Sequence, residues 1–443
     1  MKIVRNIIWA MIAVMSLLWF VMESQLFSST NVFEWRSGMI QYSGILSLMM
    51  MSMAMVLAMR LPVVENWLHG MDKAYRVHKW LGIAGASLGV VHWLWYKVPK
   101  WLVEVGALEK PAKHQNALGI NNFSNIEAWF HSLKDLGKSF GEIGFYLLLI
   151  LVAISLWGVV KYKPFRLSHR LMSVVYLLIA VHSVLLIKRA YWGEPVFYLT
   201  VAFVIVGSIA ALYSLFGFVG RRNQHLATVT ATHYYPQAGV MELVLKPDVS
   251  WQGHNAGQFA YLRFGNEDPH PFTIVSGSED GELRFLIKEL GDFTTGLHER
   301  VTVGESVRVE GPYGRLTFDL SKPQVWIAGG VGVASFFSAL EALKNQPRRG
   351  NIHLFYCVRG IDGKLTDKLW HLVHEAGVKF SVIDTQHSPR LNAERIAEQC
   401  GDLNQYEMYF CGPEVFSKTL KKELAAHQFN IDKSYHEELF IMR

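Results

Sequence analysis

Residues 73–97 form an apolar stretch that is long enough to cross a lipid bilayer and carries a histidine near each end. At about 1.5 Å per residue, the helix from His78 to His92 spans roughly 20 Å and makes close to four turns, so both side chains lie on nearly the same face. Gly82, Gly85 and Gly89 form a stripe along which a large group can approach the backbone. The stretch predicts a transmembrane helix with histidines at two depths.

A second apolar stretch, residues 166–188, repeats this layout with His169 and His182. Ionisable side chains inside a bilayer are costly, and they are functional candidates for that reason. Four histidines at matching depths predict two stacked metal sites, each with one ligand from each helix. Two haem groups fit this pattern, because a flat macrocycle needs two axial ligands and an apolar slot.

Two points about these histidines are open at the level of sequence. Each one, taken alone, is equally well explained as an isolated hydrogen-bonded polar residue, although four in register favour the metal sites. The step from His169 to His182 also rotates about 140° away from the starting face of an ideal helix. Either the second helix is locally distorted, or the metal-bearing group approaches its flanks.

Hydropathy divides the chain near residue 222. Before this point, apolar stretches predict a bundle of six transmembrane helices, at residues 5–27, 38–59, 73–97, about 140–160, 166–188 and about 195–219. Basic residues collect at one set of helix ends, among them Arg76, Lys163 and Arg221. By the positive-inside rule, we expect a multi-pass protein of the cell (inner) membrane whose N-terminus and C-terminal half are cytoplasmic. This placement explains the net charge of +6 without nucleic-acid binding.

The opposite ends of these helices carry two further features. Residues 98–139 predict a long outer segment in which His114 and His131 are more simply solvated side chains than metal ligands. Arg36, at the outer edge of the second helix, is suited to pairing with a haem propionate, to orienting an anionic product, or to anchoring the helix at the membrane interface.

The C-terminal half has the patterns of two soluble domains. Residues 225–320 show short alternating runs broken by Gly, Pro and Asp, which predict a small antiparallel β-barrel. Residues 323–443 alternate apolar strands with helical runs, which predicts an α/β domain with a parallel nucleotide-binding sheet. We therefore expect domains at residues 1–222, 223–320 and 321–443.

Two segments of this half carry recognisable chemistry. In the run HPFTIVS, residues 270–276, Phe272 can cover a flat ring and Thr273 can hydrogen-bond a ring nitrogen. The run WIAGGVGV, residues 326–333, follows a strand and opens a helix, so its backbone amides can cradle a pyrophosphate.

HPFTIVS resembles the flavin motif of ferredoxin-reductase-like flavoproteins, in the version found in NADPH oxidases and ferric reductases. The runs IKELGDFTTGL (287–297) and EGPYG (310–314) are similar to the same superfamily, as are GMDKAYRVHKWLGI (70–83) and KPFRLSHR (164–170) in the membrane half. The resemblance thus covers nearly the whole chain. One departure is Ala334-Ser335-Phe336, where the superfamily usually has Thr-Pro-Phe, and Ser335 is expected to compensate for the missing hydroxyl.

The resemblance implies FAD and NADPH (or NADH) as cofactors and assigns their contacts. The catalytic candidates are Thr273, Cys411 beside the nicotinamide, and Phe440, which either stacks on the flavin or belongs to a C-terminal strand. Arg359, near the adenosine ribose, favours NADPH. The expected cofactor-binding residues are His270, Pro271, Phe272, Thr273, Ile274, Ser276, Lys288, Gly291, Asp292, Phe293, Thr294, Gly329, Gly330, Gly332, Ser335, Arg359, Cys411, Gly412 and Pro413.

The implied function is electron transfer from cytoplasmic NAD(P)H through FAD and two b-type haems to an acceptor outside. The predicted topology makes His78 and His169 the inner pair and His92 and His182 the outer pair. Four hypotheses remain for the acceptor side. We favour reduction of ferric chelates, and the others are reduction of oxygen to superoxide, a haem-holding membrane component or sensor that passes electrons to a partner protein, and an outer haem that feeds a separate protein or quinone.

Overall fold

The computed structural model describes residues 2–68, 70–109, 125–157, 162–278, 280–319, 321–344 and 351–438. The chain divides between Val219 and Gly220 into two compact units. The first unit is helical, with α1 (Lys2–Met22), α2 (Val32–Ala58), α3 (Pro62–Leu68), α4 (Met71–Glu104), α5 (Asn125–Ser132), α6 (Lys134–Leu156), α7 (Tyr162–Arg170), α8 (Met172–Leu186) and α9 (Pro195–Leu215).

Five helical segments among the described residues are long and apolar enough to cross a membrane. They are Val4–Met22, Val32–Ala58, Lys134–Leu156, Pro164–Leu186 and Pro195–Leu215. The 34-residue α4 is not one of them, because its glycine, histidine, tryptophan and tyrosine residues lower its mean hydropathy. These five segments fit the expected transmembrane domain, whereas the count of six spans remains a prediction.

The helices around the predicted outer segment are longer than the sequence suggested. Residues 98–104 continue α4, and α6 already begins at Lys134. Between them the structure describes α5, while His114 lies outside the described residues.

The methionine-rich helix α2 lies at the centre of the bundle. Met49 and Met50 are 0% and 3% exposed, and their flexible side chains fill the space between helices. Helix α2 packs against α8 and α9, and α6 packs against α8. The Ser47 hydroxyl donates to the Gly85 carbonyl at 2.7 Å, which joins α2 to α4.

The second histidine-bearing stretch is not one continuous helix. α7 ends at Arg170 and α8 begins at Met172. At the break, the Leu171 amide donates to the Ser168 carbonyl, three residues back rather than four, at 3.0 Å. A tighter turn adds rotation per residue, which reduces the angular mismatch between His169 and His182. Local distortion of the helix, one of the two expected alternatives, is what the structure shows.

The second unit begins with a curled antiparallel sheet. Its six strands, in the order β4-β3-β6-β1-β2-β5, enclose an apolar core that includes Leu243, Phe285 and Val307. A bridge from Ile274 to Phe285 connects the end of β4 to β5. The strands are β1 (Gln224–Tyr235), β2 (Val240–Pro247), β3 (Phe259–Phe264), β4 (His270–Thr273), β5 (Leu283–Lys288) and β6 (Ser306–Tyr313), with the short helix α10 (Leu297–Arg300) before β6.

A parallel five-stranded sheet follows, in the order β11-β10-β7-β8-β9. One apolar core lies against α11 and α12, and a second lies against α13 and α14. The strand order reverses between β7 and β10, which creates a crevice at their carboxyl ends. The elements are β7 (Gln324–Gly329), α11 (Ala334–Leu343), β8 (Ile352–Val358), α12 (Gly363–Glu375), β9 (Lys379–Asp384), α13 (Ala393–Cys400), β10 (Glu407–Cys411), α14 (Glu414–Ala426), α15 (Ile431–Ser434) and β11 (Tyr435–Glu438).

Candidate functional site

The four membrane histidines lie in two pairs. The ring centroids of His78 and His169 are 5.8 Å apart, with an interplanar angle of 67°. Those of His92 and His182 are 6.0 Å apart, with an angle of 85°. These are the same two pairs that the spacing along the sequence predicts, one at each depth of the bundle.

Backbone carbonyls on neighbouring helices orient three of the four imidazoles. The Nδ1 atoms of His78, His92 and His182 lie 2.8, 2.9 and 2.8 Å from carbonyl oxygens. A carbonyl can only accept, so each Nδ1 carries the hydrogen and Nε2 is left as the basic nitrogen. The accepting carbonyls belong to Ala54, Ile40 and Gly137 respectively.

His169 is oriented by a side chain instead. Its Nδ1 lies 3.1 Å from the Ser155 hydroxyl. That hydroxyl donates its own hydrogen to the Leu151 carbonyl at 2.7 Å. Ser155 therefore accepts from His169, and all four imidazoles present the same tautomer.

This geometry fits a metal ion held between each pair. A distance of about 2 Å from the metal to each nitrogen, and about 1 Å from nitrogen to ring centre, places two ring centres roughly 6 Å apart. Within the described residues, no group of three or more His, Cys, Asp or Glu side chains is arranged around a metal ion. Each pair thus supplies two ligands, which suits a haem iron whose other four ligands come from the macrocycle.

Glycines on neighbouring helices make room for the rings at the His92 level. An added Cβ at Gly141 would lie 2.1 Å from the Nδ1 of His182, and one at Gly44 would lie 3.0 Å from the Nδ1 of His92. Gly82, in the predicted stripe, has open space beside it, whereas Gly85 packs closely against Met51. The glycine stripe therefore leaves an open slot at Gly82 and allows a close helix contact at Gly85.

Two polar donors near the same level have no partner among the described residues. The Arg36 Nε and the Trp93 Nε1 are buried and make no hydrogen bond there. Trp93 follows His92 directly, and its ring stacks on Phe145 with centroids 5.5 Å apart. Buried donors of this kind suit an anionic group, such as the carboxylate edge of a macrocycle.

In the second unit, which contains the two domains predicted to be soluble and is called the soluble unit below, the HPFTIVS run forms β4 and the turn after it. His270, Pro271, Phe272 and Thr273 pair with β3. Phe272 packs against the core of the antiparallel sheet. Thr273, Ile274 and Ser276 are buried, and the Ser276 hydroxyl accepts from the Arg284 amide at 3.2 Å.

The GDFTTG run lies against this strand. Phe293 stacks on His270 with ring centroids 3.9 Å apart, so the two predicted flavin segments are in contact. The Thr294 hydroxyl accepts from the amides of Leu290 and Gly291 at 3.0 and 3.2 Å. Asp292, on the same turn, is exposed.

Glu289 is the hydrogen-bonding centre of this loop. Its carboxylate accepts from the Gly296 amide at 2.9 Å, the Tyr234 hydroxyl at 3.0 Å and the His298 ring at 3.1 Å. The Gly296 amide, followed by Tyr234 and His298, lowers the pKa of Glu289 below its ordinary value. Sequence reasoning missed Glu289 and His298 as site residues, although Glu289 comes just before the GDFT run.

The glycine run after β7 and the CGP run after β10 meet at the predicted crevice. An added Cβ at Gly332 would lie 2.2 Å from the Cys411 carbonyl oxygen, and one at Gly329 would lie 2.8 Å from Pro413. Gly329 and Gly412 approach one another backbone to backbone. Only glycine fits this contact, so the close approach explains the glycines independently of any nucleotide.

The Ser335 hydroxyl donates to the Cys411 sulfur at 3.1 Å, and both residues are buried. The hydroxyl that was expected to replace the superfamily's threonine is thus directed at the predicted nicotinamide-side cysteine. An added Cβ at Gly330 would lie 3.9 Å from the Lys288 ammonium, so Lys288 reaches the glycine run from the antiparallel sheet.

Arg359 follows β8 and is exposed. The turn that contains it is held by Asp384, which accepts from the Gly360 amide at 3.0 Å. The amides of Gln386 and Gly360 and the His387 ring lower the pKa of Asp384 to about 2. Phe440 lies outside the described residues, which end in β11 at Glu438.

Comparison with known proteins finds one family match within each half of the chain. Residues 43–180 match the family described as ferric reductase like transmembrane component, and residues 225–317 match the family described as FAD-binding domain. The first match includes three of the four paired histidines, and the fourth, His182, lies two residues beyond its end. The second match includes the HPFTIVS and GDFTTG runs.

Several relatives are similar in sequence. Dual oxidase 2 of Rattus norvegicus is 28% identical over 295 residues, which cover 61% of this chain and 18% of the relative. A superoxide-generating NADPH oxidase heavy chain of Dictyostelium discoideum is 23% identical over 329 residues, covering 65% of this chain and 46% of the relative. The anthranilate 1,2-dioxygenase electron transfer component of Acinetobacter baylyi is 27% identical over 178 residues, covering 37% of this chain and 52% of the relative. The chain thus spans about half or less of these relatives.

Proposed function

Because the chain belongs to the ferric reductase and NADPH oxidase superfamily, we propose that it transfers electrons across a membrane from NAD(P)H, through FAD and two b-type haems, to an acceptor on the other side. The observation that supports this most directly is the pairing of four imidazoles at two depths, with ring centroids 5.8 and 6.0 Å apart and every Nδ1 already engaged. His78 and His169 hold the inner haem, and His92 and His182 hold the outer haem.

The soluble unit receives the reductant. FAD would supply the change from two-electron to one-electron chemistry, since it accepts a hydride and releases electrons singly. Phe272 and Thr273 face the flavin ring, while the Gly291–Thr294 turn binds its phosphates through backbone amides. The Gly329–Gly332 turn binds the nicotinamide dinucleotide, Ser335 orients the Cys411 thiol beside the nicotinamide, and Arg359 favours NADPH over NADH through its charge.

The topology follows from the charge pattern of the helix ends. The N-terminus and the soluble unit lie in the cytoplasm, and α4 is the sixth membrane span, in the cell membrane. The domains extend over residues 1–222, 223–320 and 321–443. Phe440 is assigned to the flavin face.

The acceptor that we favour is a ferric chelate. Reduction of oxygen to superoxide is the second candidate, and it is supported by the similarity to oxidases. A haem-holding membrane component that passes electrons to a partner protein would need a soluble unit that no longer turns over, and the intact HPFT, GDFT and CGP segments argue against that.

The test uses the purified, haem- and FAD-loaded protein. We expect a Soret band from two haems per chain, reduction of that band by NADPH, and its reoxidation by ferric citrate with formation of ferrous iron. NADPH-dependent oxygen consumption with superoxide that dismutase intercepts would select the oxidase instead. A protein that binds no haem during fully supplemented expression would contradict the proposal.

A further inference from the structure

Three cationic side chains surround one aromatic ring near the C-terminal end of α4, beyond His92. The Lys100 ammonium lies 4.0 Å from the centroid of the Tyr96 ring. The Lys97 ammonium and the Arg36 guanidinium carbon each lie 5.5 Å from the same centroid. Arg36 also donates to the Tyr96 carbonyl at 3.4 Å. Together, Arg36, Tyr96, Lys97 and Lys100 form the Tyr96 cluster.

Acidic side chains neutralise only part of this charge. Lys97 is paired with Glu142 at 3.1 Å. Among the residues that the structure describes, no carboxylate lies within ion-pair distance of Lys100 or Arg36, and the buried Arg36 Nε has no partner there. Lys100 therefore adds an exposed positive charge that no described carboxylate balances, which is the feature of an anion-binding site.

The cluster lies one helical turn from the His92 pair. Tyr96 is four residues after His92, and Arg36 is four residues before Ile40, whose carbonyl orients His92 at 2.9 Å. One turn of helix rises about 5.4 Å. Lys100 is exposed, so the cluster is accessible from the aqueous side while it adjoins the predicted outer electron-donating site.

We propose that the Tyr96 cluster binds the anionic groups of a ferric chelate, and that it selects anionic over neutral or cationic acceptors. This inference rests on the proposed function and names the charge class of its substrate. Each bound chelate takes one electron and changes from Fe(III) to Fe(II), so two chelates are reduced for every NAD(P)H that is oxidised to NAD(P)⁺ with release of one proton. No covalent bond to the protein forms or breaks.

The test compares two one-electron acceptors of opposite charge, ferricyanide and hexaammineruthenium(III), together with ferric citrate. We expect Lys100→Gln to raise the KM for ferricyanide and ferric citrate about fivefold at low ionic strength and to leave kcat unchanged, since one charge at contact distance is removed. The KM for hexaammineruthenium should stay equal or fall. The difference should shrink at about 1 M salt, where the screening length is about 3 Å. Lys100→Arg should restore the wild-type pattern.

Lys138→Gln is the matched control. Lys138 is another lysine near this end of the bundle, but its ammonium is paired with Asp135 at 2.7 Å, so its replacement should change the three KM values much less. Titration with redox-inert gallium citrate measures binding without electron flow. A wild type that binds gallium citrate but reduces no acceptor would contradict the proposed function while supporting the anion site.

Two results would overturn this inference. The first is an equal effect of Lys100→Gln on acceptors of both charges. The second is an effect that appears only in bilayers containing anionic lipid and is absent in neutral lipid, because the cluster would then be an interfacial anchor for lipid headgroups.

Discussion

The two units of this protein assemble their candidate sites in opposite ways. In the helical unit, single side chains from separate helices meet in pairs, and most of them are oriented by one distant carbonyl. In the soluble unit, the candidate site consists mainly of backbone turns at strand ends, which contact one another directly. The helical unit thus contains two separable sites, whereas the soluble unit contains one connected site.

This difference predicts whether a substitution affects one site or several connected segments. A ligand lost from one histidine pair removes one site and leaves the other, because the two pairs share no orienting group. A side chain added inside the contacting turns displaces both turns together. Four substitutions test this contrast, from the largest expected effect to the smallest.

Replacing one outer ligand should halve the haem content. We expect His92→Ala to bind one haem per chain instead of two and to retain NADPH-driven flavin reduction, because His78 and His169 have orienting partners of their own. Haem stoichiometry from the pyridine haemochrome and bleaching of the visible flavin absorbance are the measurements. Loss of both haems from a folded protein would remove the distinction between the two units.

A side chain at the centre of the soluble site should damage nucleotide binding. Gly332→Val would place a Cβ 2.2 Å from the Cys411 carbonyl oxygen, so both turns must move, at a cost of about 1–3 kcal/mol in the free energy of unfolding. We expect a large rise in the KM for NADPH with haem content unchanged. Gly363→Ala, where an added Cβ meets open space, is the control, and similar kinetics for the two variants would contradict the connected-site description.

Removing the charge at Glu289 should loosen FAD and alter its pH dependence. We expect Glu289→Gln to bind FAD about tenfold more weakly at neutral pH, because charge-assisted hydrogen bonds are lost. The pKa of Glu289 is below its ordinary value, so in the wild type this contribution is fully present above the ordinary value, about 4.3, and is lost only as the pH falls through the lowered pKa.

FAD fluorescence, followed during acidification, measures the release. Glu299→Gln is the control, since Glu299 is in the same segment with its side chain 76% exposed. A wild type that releases FAD already at about pH 6, well above the ordinary carboxyl pKa, would show that Glu289 does not hold the loop.

The smallest effect is expected at Ser155. We expect Ser155→Ala to leave the His169 Nδ1 without its acceptor, to weaken inner-haem binding about tenfold, and to raise the inner midpoint potential, since the less basic imidazole stabilises ferric iron less. Redox titration with spectral resolution of the two haems measures this shift. Ser183→Ala, which removes a hydroxyl that bonds to the Ile179 carbonyl, should not change it.

The sequence reveals more of the candidate site in the soluble unit than in the helical unit, because the first consists of contiguous turns and the second of single side chains from separate helices. Backbone turns form most of the candidate site in the soluble unit, and each turn is a contiguous run of residues. The sequence therefore reveals them as the motifs HPFTIVS, GDFTTG and CGP. The strands around them lie where the alternating pattern predicts. The histidine pairs are visible only through their spacing, and the hydrophobic runs predict their helices to within several residues.

The sequence could not reveal the partners that come from distant elements. The carbonyls of Ala54, Ile40 and Gly137 have no side-chain signature, and Ser155 is one of many serines. The sequence predicts that the Ser335 hydroxyl compensates for the missing threonine, and only the packing of α11 against β10 shows that it donates to the Cys411 sulfur. α4 is predicted to be a span from the stretch at residues 73–97, but its mean hydropathy is too low for it to count as one by composition, because histidines, tryptophans and glycines replace aliphatic residues.

The break at Leu171 separates the segment with His169 from the segment with His182. A single rigid rod would force any tilt needed at one ligand onto the other. Two helices joined by a short turn let each imidazole change its orientation without moving the other. In the proposed function, substitutions on either side of Leu171 can therefore change the haem affinity and the midpoint potential at one histidine pair alone, so that evolution can set the order of the two potentials one haem at a time.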